Sequence, residues 1–296
     1  VVNRRTLLKA LPLSYLASTF ASDARAASLT YGYAAITWGK AFTDAIDDIS
    51  AVGFRGVQLR ATDGVIDQFG ETPSSLRDLL ARRHLRFAAL SSGNLSIDPA
   101  REAEQLATHT AHAKFLRQAG GRYLQVIDER PKGRAVVDDD YARVGRMLTE
   151  LGKRTQDLGV TLVYHHHMNS VGEKPREIAA VLAAADPRHV RLLFDVAHYL
   201  QGGGDPVDGL RQYRRWIEVL HLKDVRAAPA EPAGYQWVEL GRGRVDLPGV
   251  FGAIREIGFS GWAIVELDRV PDAGETPKGS AEINRRYLAD VMHQKV

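Results

Sequence analysis

The chain contains no cysteine among its 296 residues. Disulfides, thiolate metal sites and cysteine nucleophiles are therefore excluded. Beyond the N-terminal segment there is no apolar run long enough to cross a bilayer. No G-x-G-x-x-G turn follows the first apolar run, so the fingerprint of an open dinucleotide-binding sheet is missing. Net charge is also scarce. Residues 1–26 carry Arg4, Arg5, Lys9 and Arg25 against Asp23, a net of +3 that equals the net of the whole chain. The remainder is neutral, which removes the electrostatic case for nucleic acid.

What is present at the N-terminus reads as a processing segment. A charged start (Asn3-Arg4-Arg5-Thr6-Leu7-Leu8-Lys9) precedes a short apolar stretch from Ala10 to Ala21, then Ala24-Arg25-Ala26. That order is that of an export signal with an A-x-A cleavage site, and the paired arginines resemble a twin-arginine signal. The apolar stretch is short for a membrane anchor and is broken by Pro12. The expected division is therefore 1–26 as signal and 27–296 as a single folded domain, periplasmic or secreted and free of the membrane after cleavage.

Within that domain eight short apolar runs begin near Tyr31, Phe54, Arg86, Arg122, Thr161, Val190, Ile217 and Trp262. Helical periodicity separates them. Val144, Met147, Leu148 and Leu151 share a face, as do Ile178, Val181, Leu182 and Ala185, and Val250, Ala253, Ile254 and Ile257. Gly53, Gly120, Gly159 and Gly258 stand where a helix gives way to the next strand, a position that favours left-handed backbone. Strands alternating with helices predict an α/β fold, a (β/α)8 TIM barrel. Two connections, Glu129–Asp139 and Val225–Arg244, are longer than the rest and are expected at the site.

Barrel chemistry sits at the C-terminal strand ends. The fifth run ends Tyr164-His165-His166-His167. Strand alternation puts His165 and His167 on one face and His166 on the other. The sixth, seventh and eighth runs end at Asp195, His221 and Glu266. A lone carboxylate there is usually a helix cap or an ion-pair partner. Two carboxylates beside imidazoles instead suit one divalent metal ion with open positions, such as Mn, Co, Zn or Fe. His198 is a candidate to bind a substrate hydroxyl or to give a proton to a leaving group. Lys223 is a candidate to stabilise an oxyanion, or else to pair with Asp224. Trp38 and Trp237 are candidates for stacking on a substrate, with a core role open to Trp38. Arg130 and Arg226 lie in the long connections, where Arg226 is a candidate substrate contact and surface charge is the plain alternative.

Several stretches resemble the sugar phosphate isomerase/epimerase superfamily of xylose isomerase-like barrels. They are Phe194-Asp195-Val196-Ala197-His198 with Gly203-Gly204-Asp205-Pro206, Val219-Leu220-His221-Leu222-Lys223-Asp224, Leu240-Gly241-Arg242-Gly243-Arg244-Val245-Asp246, and Gly261-Trp262-Ala263-Ile264-Val265-Glu266. Tyr164-His165-His166-His167 is similar to the inosose dehydratase branch. The resemblance implies a metal held by His165, Asp195, His221 and Glu266, with His167 as the competing fifth-strand ligand. The family's fifth-strand glutamate falls on His165 here, and its second-strand glutamate on Gln58. Of the family's glutamate pair for two-base proton transfer, Glu266 alone is present.

The leading expectation is a metal-dependent sugar isomerase or epimerase that removes a proton next to a carbonyl, with Glu266, His198 and Lys223 as catalytic groups. A β-eliminating dehydratase or lyase of inosose or keto-sugar type is the alternative. A non-catalytic sugar-binding barrel is a further one. The expected partner is a small-molecule carbohydrate, not nucleic acid, and a homo-oligomer stays open. The neutral domain and Gln58 count against a DNA-repair endonuclease on the same barrel.

Overall fold

Each of the eight apolar runs forms a parallel strand of one closed barrel. In chain order the strands of the structure, a computed structural model describing residues 28–296, are β1 (Leu29–Ala34), β2 (Gly56–Arg60), β3 (Arg86–Leu95), β4 (Tyr123–Asp128), β5 (Thr161–His165), β6 (Val190–Asp195), β7 (Ile217–Leu222), β8 (Asp224–Ala227), β9 (Tyr235–Val238) and β10 (Gly261–Val265). The barrel order is β1-β2-β3-β4-β5-β6-β7-β10, with β10 closing on β1. The export signal expected over 1–26 lies outside the described residues. No helix among the described residues is long and apolar enough to cross a membrane.

Helices fill the connections and pack their apolar stripes on the outside of the strands. Val144, Leu148 and Leu151 are fully buried, as are Ile178 and Val181, and Val250, Ala253 and Ile254 are buried too. Gly53, Gly120, Gly159 and Gly258 all have left-handed φ, between 64° and 103°. That backbone costs glycine nothing and would strain other residues.

The barrel interior has a different character from this outer layer. Its apolar filling is one small cluster: Ala34, Ala88, Ala89, Val163, Leu193, Val219 and Ile264, with Tyr123 and Trp262 against it. Trp262 lies so close to β2 that a Cβ on Gly56 would fall 2.4 Å from its ring, so the strand needs glycine there. Most of the large aliphatic burial, at roughly 1.5–3 kcal/mol per side chain, therefore belongs to the strand–helix layer. The upper interior is left free for polar groups. Strand alternation carries Val163, Leu193, Val219 and Ile264 upward to His165, Asp195, His221 and Glu266, two residues further along each strand.

The connection after β7 is where sequence reading saw only a long loop. It holds an antiparallel hairpin, β8 with β9, that pairs Val225 with Trp237 and Arg226 with Gln236.

Candidate metal centre and active site

Asp195 and His221 are direct partners across β6 and β7. Asp195 divides its carboxylate between two tasks. Its Oδ1 accepts from the backbone N–H of Ala197 and of His198, both at 2.8 Å, and so caps the helix Val196–Gln201. Its Oδ2 has no hydrogen-bond partner and lies 3.5 Å from His221 Nδ1. The helix cap and the free ligand oxygen are thus two ends of one side chain.

His221 is fully buried, and Glu266 Oε2 stands 3.3 Å from the same Nδ1. On the other edge of the ring, Nε2–H donates to Gln58 Oε1 at 3.0 Å. Gln58 in turn donates its Nε2 to Gln125 Oε1 at 2.7 Å. Nδ1 therefore carries the lone pair in the neutral ring. That nitrogen has no hydrogen-bond partner, and neither does the buried Nδ1 of His165. A buried imidazole lone pair facing two carboxylate oxygens is unfavourable unless a cation joins them. The orphaned atoms and the donor chemistry fit a divalent metal ion.

The protonation states agree. Burial pushes His165 and His198 well below the usual histidine range, and neighbouring imidazoles add to the effect. Burial would raise Glu266, but His221, where it is protonated, and the Lys223 ammonium outweigh it and bring it down to about 2. Burial would lower Lys223, but Asp268, Glu266 and Asp195 outweigh it and hold the ammonium above its ordinary value. Two of the rings are thus neutral, Glu266 is ionised, and a cation stands beside them.

Lys223 is completely buried. It donates to Glu266 Oε1 at 2.8 Å and to Asp268. It does not pair with Asp224, because adjacent residues of an extended segment point to opposite sides. Asp224 faces away and accepts four backbone N–H groups, from Val225, Gly241, Gly243 and Val245.

His167 and His198 meet above the ligand layer. Their rings lie 3.9 Å apart, and each uses Nδ1 on the same residue, Met168. His167 Nδ1–H donates to the Met168 carbonyl at 2.7 Å, whereas His198 Nδ1 accepts the Met168 N–H at 3.2 Å. His167 therefore offers an Nε2 lone pair, whereas both nitrogens of His198 face donors, Nδ1 the Met168 N–H and Nε2 the Lys223 ammonium at 3.4 Å. His165, His167 and His198 place ligand atoms within 4.8 Å of one another, and so do His165, Asp195, His198 and Glu266. His198 thus falls inside the donor cluster, where sequence reasoning had given it only a substrate or catalytic role.

The hairpin supplies a roof. Trp237 lies 4.6 Å from the His198 ring, and Lys223 Nζ is 4.4 Å from the Trp237 ring. Arg226 is not directed to this point. It donates to Gln236 and Asp272 and fastens the hairpin to the segment after β10. Trp38 donates its indole N–H to Asp48 at 3.0 Å and packs edge-on against Tyr33, which is the core role. Arg130 donates to the Ser170 carbonyl and fixes the loop after β5. His166 faces outward against Phe194 and Tyr199, as alternation predicts.

Gln125, Asp268, Asp128 and the Met168 peptide were not read from the sequence as site components. A signal existed for Gln125, a lone amide inside an apolar strand, and for Asp268, on the same face as Glu266. Asp128, buried at the end of β4, accepts from Tyr164 Oη at 2.6 Å and from the N–H groups of Val171 and Gly172. It pins the loop that carries Met168.

A closed parallel eight-stranded barrel thus carries a His, Asp and Glu cluster at its C-terminal mouth. The profile of the xylose isomerase-like TIM barrel family matches residues 46–290, and the chain belongs to that family. The inosose dehydratase of Lacticaseibacillus casei is 30% identical over 280 residues, covering 85% of this chain and 90% of that protein. Among solved structures, the IolI protein with a bound zinc atom superposes with a TM-score of 0.75 at 19% identity, covering 88% of this chain and 97% of the other. The probable 3-DHS dehydratase AsbF of Bacillus anthracis gives 0.73 at 17% identity, covering 88% and 98%. The family is of sugar isomerase, epimerase and dehydratase type. The curated relative is a dehydratase by name, the reaction that the sequence alone had placed second to isomerisation.

Proposed function

We propose that this protein is a divalent-metal-dependent dehydratase that removes water from an inosose or a related keto-sugar. The observation that carries it is the His167 Nδ1–H bond to the Met168 carbonyl. His167 keeps its Nδ1–H bond whether or not Nε2 is protonated, so it can take up a proton and give it back. His198 faces donors at both ring nitrogens, the Met168 N–H and the Lys223 ammonium, and stays neutral. One acid–base group beside one fixed cation suits elimination. Two-base epimerisation needs a second proton carrier on the opposite face, and the position of the family's fifth-strand glutamate is held here by His165.

His165, Asp195, His221 and Glu266 would hold the metal. When bound it would polarise the substrate carbonyl and acidify the neighbouring C–H. His167 Nε2 takes that proton. The C–O bond at the next carbon breaks, and its electron pair leaves with the oxygen. That oxygen receives the proton from His167 and departs as water, leaving a carbon–carbon double bond. The Lys223 ammonium lies 3.4 Å from His198 Nε2 and is the cation beside that base, suited to stabilising a substrate oxygen. Trp237 covers them and keeps water out. The zinc of the IolI structure supports a metal here, with Mn, Co and Fe equally suited by the donor set. The isomerase outcome is the second reading, supported by the family alone.

Elemental analysis of His165→Ala and His167→Ala separates ligand from base. Metal content should collapse in the first and stay in the second, while turnover of the second falls about 10²–10⁴-fold. Metal-loaded protein should exchange the proton next to the carbonyl of an inosose in deuterated water and release the dehydrated product. No exchange and no dehydration with any inosose or keto-sugar would refute the reading. Sugar binding without turnover would point to the non-catalytic barrel. We also propose export by the twin-arginine route. Periplasmic recovery that survives Arg4→Lys with Arg5→Lys would count against it.

A further inference from the structure

We propose that Gln58 and Gln125 form a buried relay that fixes which nitrogen His221 presents to the metal, which makes Gln58 a positioning residue. The inference rests on the metal reading above. Both amides are 2% exposed and face the barrel interior from β2 and β4. A primary amide has a donor end and an acceptor end, and turning it over exchanges them. Gln125 Oε1 takes the Nε2 of Gln58 at 2.7 Å, which turns the Gln58 oxygen to His221. That oxygen can only accept, so the facing His221 nitrogen, 3.0 Å away, carries the proton. Nδ1 is left with its lone pair toward Asp195 and Glu266. If Gln58 turned over, its NH2 would face His221 Nε2 and favour the proton on Nδ1, where it would block the metal. The relay spans three strands that are not neighbours, so one chain of amides also sets the ring plane.

The test is Zn²⁺ affinity by competition with a chelator, in wild type, Gln58→Leu, Gln58→Glu, Gln125→Leu and His221→Ala. Gln58→Leu should weaken Zn²⁺ about 10–100-fold, the usual effect of losing the partner of a ligating histidine. Gln58→Glu should restore affinity to within about threefold, because a carboxylate accepts the same N–H. Gln125→Leu should fall between them. Long-range ¹H–¹⁵N spectra of the zinc-loaded protein should place the His221 proton on Nε2, a signature that a purely structural role for Gln58 would not require. If His221→Ala weakens binding and the folded Gln58→Leu does not, the relay is refuted while the metal site stands. Failure of Gln58→Glu to restore affinity, or a proton on Nδ1, also refutes it. Should Gln58→Leu not fold, Gln58→Glu and Gln125→Leu decide. If His221→Ala binds Zn²⁺ like wild type, the metal reading itself fails, and the relay with it.

Discussion

Asp224 and Asp128 are both buried aspartates that organise loops at the mouth, yet the same substitution should affect them differently. At Asp224 each oxygen accepts two backbone N–H groups: Oδ1 from Val225 at 2.8 Å and Val245 at 3.0 Å, Oδ2 from Gly241 at 3.0 Å and Gly243 at 2.9 Å. Asparagine fits in neither orientation, because its NH2 always faces two donors. Two N–H groups lose their acceptor, at about 1–3 kcal/mol each. Relaxation at the exposed glycines Gly241 and Gly243 keeps the total near 2–4 kcal/mol. At Asp128, one oxygen takes the Tyr164 hydroxyl and the other takes the amides of Val171 and Gly172. Asparagine can keep its oxygen on the amides and donate its NH2 to the tyrosine oxygen. Only the charge assistance is lost, roughly 1 kcal/mol. Urea unfolding of Asp224→Asn and Asp128→Asn measures the difference, and hydrogen exchange locates it. The amides of 241–245 should exchange on the order of a hundredfold faster in the first variant and unchanged in the second. Equal costs, or unchanged exchange at 241–245 in Asp224→Asn, would refute the reasoning.

Two further predictions follow from single side chains. His109 is 2% exposed and shares Ser92 Oγ with His112, and burial first, then the neighbouring ring, lowers it to about 4. The unfolded chain binds that proton at higher pH than the fold does. Stability is therefore whole above about pH 6.5 and falls by about 1.4 kcal/mol per pH unit from this ring until about pH 4. His109→Gln should flatten the slope of unfolding free energy between those values, and an unchanged slope would exclude His109 as its source. Trp237→Ala opens the roof over His198 and Lys223. Turnover should drop at least about tenfold with metal content unchanged, as read by elemental analysis and steady-state rates.

The barrel was legible because its eight strands obey strong local rules. Continuously buried apolar runs, helical stripes and the positive-φ glycines agree with one another from β1 to β10. The hairpin was not read, although Tyr235, Trp237 and Val238 are strand formers just after Gly234. Its pairing with Asp224–Ala227 crosses a seven-residue connection with two prolines, and no hydrophobic alternation announces the first strand. What stabilises it is remote. Arg226 and Arg242 both reach Asp272, and Gln236 reaches the Pro271 carbonyl. Such contacts form only once β10 has brought the last connection alongside.

The histidine run shows where one-dimensional reading of a site ends. Alternation along β5 rightly sent His165 and His167 inward and His166 outward, so the sequence could name the side chains that meet. It could not rank them, because rank depends on which ring nitrogen is free. That is decided by groups with no residue signature: the Met168 carbonyl for His167, and an amide three strands away for His221. The ordinary equivalence of imidazole nitrogens is broken only by these partners. A helix-capping oxygen on Asp195 and a lysine on one oxygen of Glu266 sort the carboxylates in the same way. In each case one atom of the side chain is spent on the scaffold, so the other is left, oriented and unpaired, for the metal. The same logic separates His167 from the ligands. Its scaffold bond is indifferent to protonation at Nε2, which makes it the ring in the cluster best placed to pass a proton in both directions.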